Sequence, residues 1–177
     1  MEQEKVILNA EKKRTRAMLK VLVPITIIVV ALTIIAVILA NKAGNKTSVT
    51  GSRFAEISQE QGFVAVNVIE QLDSPGLFES AYITNLDDNN GIFFLEFKEK
   101  KDAKSYFANA ARKFKVEVKE AGEDNSKQED LENYCYYIAT VNGQYMHVVR
   151  VKDTVLYAQV DEDHTKTVQK MVSEIGY

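Results

Sequence analysis

The stretch "NLDDNNGIFFLE", residues 85–96, places oxygen-bearing side chains at Asn85, Asp87, Asn89 and Glu96. These are positions 1, 3, 5 and 12 of a calcium-binding loop, where carboxylate and amide oxygens suit a hard cation. The sixth position argues the other way, because the loop turns sharply on a glycine there and this chain has Asn90. The flanks are apolar runs of strand length rather than helices, so the stretch reads as a hairpin turn, with calcium as the lesser alternative. His147 and His164 are the two histidines, and neither has a second ligand at zinc spacing. Serines and aspartates are present, but nothing sets a serine on a nucleophile elbow, and there is no phosphate loop. The sequence assigns no catalytic residue and no cofactor.

The elements that must carry these residues follow from periodicity. "SRFAEISQEQGF" suggests a short helix capped by Ser52 and stopped by Gly62, with Phe54 and Ile57 on one face. "FVAVNV" has strand length, "DSPG" at residues 73–76 is a turn, and "AYITNLDDNNGIFFLEF" reads as two strands around the Asp and Asn cluster. Asp102 is placed to cap a helix whose apolar residues Ala103, Tyr106, Phe107, Ala110 and Phe114 recur at helical spacing. Residues 119–132, acidic and with little to bury, read as a solvated loop. Strands are expected over 134–141, 144–151 and up to Val160, joined by turns at Asn142-Gly143 and Lys152-Asp153. A final helix then buries Val168, Met171, Val172 and Ile175.

Upstream, residues 21–40 contain no charged side chain. At ~1.5 Å per residue a helix of that length spans the ~30 Å hydrocarbon layer. No small-x-small cleavage site follows it, so it reads as a retained transmembrane anchor rather than a signal peptide. Six basic residues precede it (Lys5, Lys12, Lys13, Arg14, Arg16 and Lys20) and three follow up to Arg53, a bias that puts the amino terminus in the cytoplasm. The expected organisation is a basic cytoplasmic arm at 1–20, the anchor at 21–40, a flexible tether at 41–52 and an extracytoplasmic domain at 53–177. The arm suits anionic lipid headgroups. Beyond residue 53 the chain has 13 basic and 22 acidic residues, which argues against nucleic acid as a partner. Asn45-Lys46-Thr47 is a glycosylation sequon within a few residues of the anchor and is read as chance. Cys135 is the sole cysteine, so the domain has no internal disulfide and depends on an ordinary core.

A strand, an acidic junction and an amphipathic helix occur twice, at 91–114 and 154–177, and admit a duplicated strand-strand-strand-helix unit. The fold class is α+β: a transmembrane helix followed by an antiparallel sheet with helices packed on one face. With Asn142-Gly143 as a two-residue turn, Val141 pairs with Gln144, Ala139 with Met146, Tyr137 with Val148 and Cys135 with Arg150. The opposite set is more apolar. It contains Ile138, Tyr136, Tyr145, His147, Val149, Leu156 and Ala158, and is expected beneath the helices, with His147 between Ile138 and Ala158 as a hydrogen-bonded core residue beside Tyr136 or Tyr145. That leaves Tyr137, Met146, Val148, Arg150, Val155, Tyr157 and Gln159 as an open, partner-binding face.

The short helix ending in Gly62-Phe63, the "DAK" start of the long helix and the terminal hairpin, strand and helix ending in "IGY" resemble uncharacterised membrane-anchored or lipid-linked envelope proteins of Gram-positive bacteria. The resemblance implies a surface location and a fold, and carries no activity. A minor pilin lacks support, since its glycine cleavage site and early glutamate are missing. A division-type coiled coil would need sustained heptads. The expectation is a single-pass, non-enzymatic interaction module of the cell envelope, bound to lipid by its anchor and to an envelope protein or surface component by its sheet. A calcium-binding or hydrolytic envelope enzyme is the alternative.

Overall fold

The computed structural model describes residues 46–122 and 125–177. Seven strands form one antiparallel sheet: β1 (Ala65–Asn67), β2 (Phe78–Asn85), β3 (Gly91–Phe97), β4 (Ser126–Asp130), β5 (Tyr134–Val141), β6 (Gln144–Val151) and β7 (Thr154–Asp161), in the order β1-β2-β3-β7-β6-β5-β4. Three helices accompany it among the described residues: α1 (Gly51–Glu60), α2 (Lys100–Ala121) and α3 (Thr165–Glu174). The α+β class and the antiparallel sheet are as expected. No helix of the described residues is long and apolar enough to cross a membrane; the expected anchor at 21–40 and the expected arm at 1–20 lie outside them.

The β5–β6 hairpin has the register its turn chemistry dictates, with Val141 opposite Gln144, Tyr137 opposite Val148 and Cys135 opposite Arg150. Asn142 and Gly143 supply the positive φ angles, 51° and 75°, that a tight hairpin turn of this hand requires. One face of the sheet packs Ile92, Phe94, Tyr145, Val149, Leu156 and Ala158 against Phe54 and Ile57 of α1 and Val168, Met171 and Ile175 of α3. The Phe54 ring stacks on Phe94 at 4.8 Å.

The helices are not confined to that face. α2 covers the opposite one, where Ala103, Ala111, Phe114 and Val118 meet Leu95, Tyr137, Ala139, Met146, Val148 and Val155. Apolar residues on both faces of β5, β6 and β7 require a cover on each side, and among the described residues the apolar stripe of α2 supplies the second. Apart from the edge strand β4, the strand order is symmetric about the β3–β7 pair, yet α2 and α3, which follow those two strands, lie on opposite faces. A two-fold axis relating antiparallel neighbours stands normal to the sheet and keeps both helices on one side, so the expected duplication is not the organising symmetry.

Residues 119–132 are also not a loop. α2 continues to Ala121, with Gly122 at φ 71° as its left-handed stop, and β4 then pairs Ser126 with Ala139 and Asp130 with Cys135. An edge strand pairs on one side only and buries little, so a charged sequence can form one, and its charges guard the free edge. Lys46–Thr50, expected within a tether, are fastened to the domain. The Lys46 ammonium lies 4.3 Å above the Tyr134 ring, and the Val49 amide donates to the Tyr177 hydroxyl at 3.1 Å. Thr50, not Ser52, caps α1, and Glu99 rather than Asp102 stands at the α2 cap position, with Asp102 in the first turn.

Candidate functional site

The calcium reading fails on geometry. Asp87 is consumed by its own turn: its Oδ1 accepts the amides of Asn89 and Asn90 at 2.8 Å, and its Oδ2 contacts His164 Nε2 at 2.7 Å. These donors, the Asn89 amide foremost, hold the carboxyl well below the usual carboxylate range. Asn90 is buried and ties this turn to β7 by accepting the Asp161 amide through Oδ1 at 2.8 Å. Asn85 pairs with Gly91 at the turn, whereas Glu96 lies five residues further along β3, roughly 17 Å away at ~3.3 Å per residue. There Glu96 accepts the Gly51 amide at 3.0 Å and the Ser80 hydroxyl at 2.8 Å. Asn85, Asp87, Asn89 and Glu96 therefore never converge. No group of three His, Cys, Asp or Glu residues among the described ones is disposed to hold a metal ion.

The expected open face is closed. Tyr137, Met146, Val148, Arg150 and Val155 are each at most 3 % exposed, because α2 lies across them. Phe114 of α2 stacks on Tyr157 at 5.2 Å and reaches Tyr137 at 6.4 Å. Tyr157 and Gln159 remain half-buried at the flank of the helix, where the Tyr157 hydroxyl donates to Gln159 Oε1 at 3.0 Å. Six of these seven are core or helix-flanking side chains and form no docking surface; Arg150, equally buried, borders a cleft at the edge of α2.

What the chain does leave open are the margins of α2. Towards β2 and β3, Leu72, Phe78, Phe93, Leu95, Tyr106, Ala110 and Tyr157 line an apolar cleft of about 560 Å³, with Lys113 its only charge. Burial raises the Tyr106 hydroxyl and pushes that of Tyr157 up to about 12, so both stay protonated near neutral pH.

Towards the β4–β5 turn lies a cleft of about 610 Å³ with a different character. Lys104, Ala108, Arg112 and Lys115 fall on one face of α2 by their spacing of four, four and three, and all four line it. Across from them stand Asp130, Leu131, Glu132, Cys135 and Arg150. Arg150 is 2 % exposed, yet no carboxylate pairs with it among the described residues. Its Nη1 donates to the Lys152 carbonyl at 3.0 Å, and its Nη2 to the Glu132 carbonyl and Cys135 Sγ, both at 2.9 Å. Carbonyl dipoles thus solvate the guanidinium while leaving its charge uncancelled. Burial and a hydrogen bond to Asp130 raise the Cys135 thiol, opposed by Arg150, which makes it a poor nucleophile.

A third, smaller recess of about 290 Å³ opens beside α3, lined by Tyr134, Tyr136, Ile138, Tyr145, His147, Gln169 and Tyr177 among others. His147 stands between Ile138 and Ala158 as its register requires, 4 % exposed, with Nδ1 3.1 Å from the Tyr145 hydroxyl. Burial depresses the ring to about 4, so it is neutral at physiological pH. Among the described residues no carboxylate orients it for proton transfer. Placing every helix on one face hides both α2 clefts; the alignment of Lys104, Arg112 and Lys115 on α2 is the sequence signal for the cationic one.

No protein-family model, curated protein or solved structure matches this chain.

Proposed function

We propose that the protein is a single-pass, membrane-anchored, extracytoplasmic binding module of the cell envelope that acts without catalysis. The observation that carries this reading is the pair of clefts beside α2, one cationic of about 610 Å³ and one apolar of about 560 Å³, each lined by convergent side chains. Histidine chemistry has no outlet in them, since His147 is buried against Tyr145 and His164 is held by Asp87. The uncharged run at 21–40 and the six-to-three basic bias around it support the anchor and its orientation. The basic arm meets lipid headgroups, and the domain meets an envelope component through the α2 margins rather than through the buried sheet residues.

Two measurements test this. Protease added to intact cells or spheroplasts removes the domain beyond Arg53; full protection refutes the topology. A photoreactive side chain at Ala108 or Asn109, which face the two clefts, forms a discrete adduct in cells that one at Ser173 beside α3 does not form. Absence of any adduct from the α2 positions refutes the binding role.

A further inference from the structure

We propose that the cleft between α2 and the β4–β5 turn binds a phosphate-class dianion, with Arg150 at its floor and Arg112, Lys115 and Lys104 along its wall. The inference rests on the reading of the protein as a binding module and names the chemistry of its ligand. Four cations line the cleft against two carboxylates, in a region of chain where acids outnumber bases by 22 to 13. The two carboxylates are directed elsewhere. Asp130 accepts the Cys135 thiol at 3.1 Å, and the side chain of Glu132 is 81 % exposed and lies 3.7 Å from the Lys100 ammonium. None of Lys104, Arg112, Lys115 and Arg150 has an ion-pair partner among the described residues.

Arg150 is the decisive residue. Burying a guanidinium costs several kcal/mol unless its charge is compensated, and an apolar side chain at this position would pack against α2 as Val148 does. Here the charge is kept and held by backbone carbonyls from three residues, Leu131, Glu132 and Lys152. This arrangement fixes its plane and leaves its charge available to an anion. Exposed Arg112 supplies N–H donors, Lys104 and Lys115 supply mobile point charge, and Arg150, whose Nη groups already donate to the turn, supplies a fixed positive field, a set that matches a tetrahedral dianion. A single carboxylate would leave most of this charge unmatched.

A phosphate of this kind can belong to a soluble phosphoryl compound or to a lipid headgroup, and one design separates the two. Cys135 is the sole cysteine and borders the cleft, so its slow alkylation by N-ethylmaleimide is a local readout in the full-length chain. In nanodiscs of zwitterionic lipid, inorganic pyrophosphate slows alkylation saturably. The double variant Arg112→Gln/Lys115→Gln, altered at two exposed positions, weakens that protection at least tenfold; this outcome assigns a soluble phosphoryl ligand. If pyrophosphate has no effect but phosphatidate, a phosphomonoester lipid, added to the nanodisc slows alkylation in the parent and not in the variant, the site takes a headgroup. If neither probe changes the rate, or both act equally on parent and variant, the proposal is overturned. Adduct formation from Ala108 or Asn109 in that last case leaves the binding module standing without its anion.

Discussion

His147 tests the packing of the sheet most directly, because its protonation reports whether that face is closed. In the unfolded chain the ring titrates near 6.5, and burial in the fold pushes it down to about 4. Below 6.5 the unfolded chain therefore takes up a proton that the folded chain refuses until about pH 4. Stability from the neutral ring is whole above pH 6.5 and is lost as the pH falls towards 4. At 1.36 kcal/mol per pH unit, that window is worth roughly 3 kcal/mol, of which about 2 kcal/mol is gone at pH 5. His147→Leu removes the proton site and the bond to Tyr145, whose hydroxyl keeps Gln169 as a partner. At pH 7.5 the variant should be about 1 kcal/mol less stable than the parent, the net worth of one hydrogen bond. By pH 5 the order should have reversed by a similar amount. Urea unfolding of the full chain in mild detergent, followed by far-ultraviolet circular dichroism, measures both. His164 and the carboxylates occur in both proteins and cancel in the difference. If the two stability curves run parallel from pH 7.5 to 4.5, His147 is solvated and the assignment of faces is wrong.

Gly51→Ala should cost about 1–3 kcal/mol in the same unfolding assay, because a Cβ there would stand 2.0 Å from Ser80 Oγ, inside the Glu96 network that holds the start of α1. An unchanged midpoint would show that α1 does not dock through that network. Lys127→Val with Glu129→Val should turn β4 into an apolar free edge and bring concentration-dependent self-association, read by light scattering. A variant as monodisperse as the parent would mean that the charges of β4 do not protect the edge.

The parts of the fold legible in the sequence are those specified locally. Asn142-Gly143 fixes a hairpin register residue by residue, and the register alone places His147 between Ile138 and Ala158. The stripe from Ala103 to Phe114 marks α2 for the same reason, since helical spacing is a property of neighbours in the chain. Which face α2 covers is not local. It depends on how the chain leaves Phe97 and on which face is still bare, and comparing the apolar character of the two faces misleads when both are core. Tyr137, Met146, Val148 and Val155 have the composition of an interaction patch because a buried sheet face and a docking patch share a composition. β4 escaped notice because an edge strand needs only backbone partners, which polar side chains do not disclose.

Geometry rather than composition accounts for where the clefts lie. Seven strands at ~4.8 Å spacing make a sheet about 29 Å across, whereas a helix with its side chains is ~10–12 Å wide. One helix covers little more than a third of a face. α1 and α3 together leave the two margins half-buried on theirs, Tyr134, Tyr136 and Ile138 at one and Ala65 and Tyr82 at the other. α2 is alone on the other face over β5, β6, β7 and β3, so it leaves a margin on each side. The segment around Val68, Ile69 and Leu72 partly fills the margin over β2 and makes it apolar. The other ends at the β4–β5 turn, whose carbonyls hold Arg150 in place, and that guanidinium with Lys104, Arg112 and Lys115 makes it cationic. The two clefts thus differ in chemistry because different loops border the same helix.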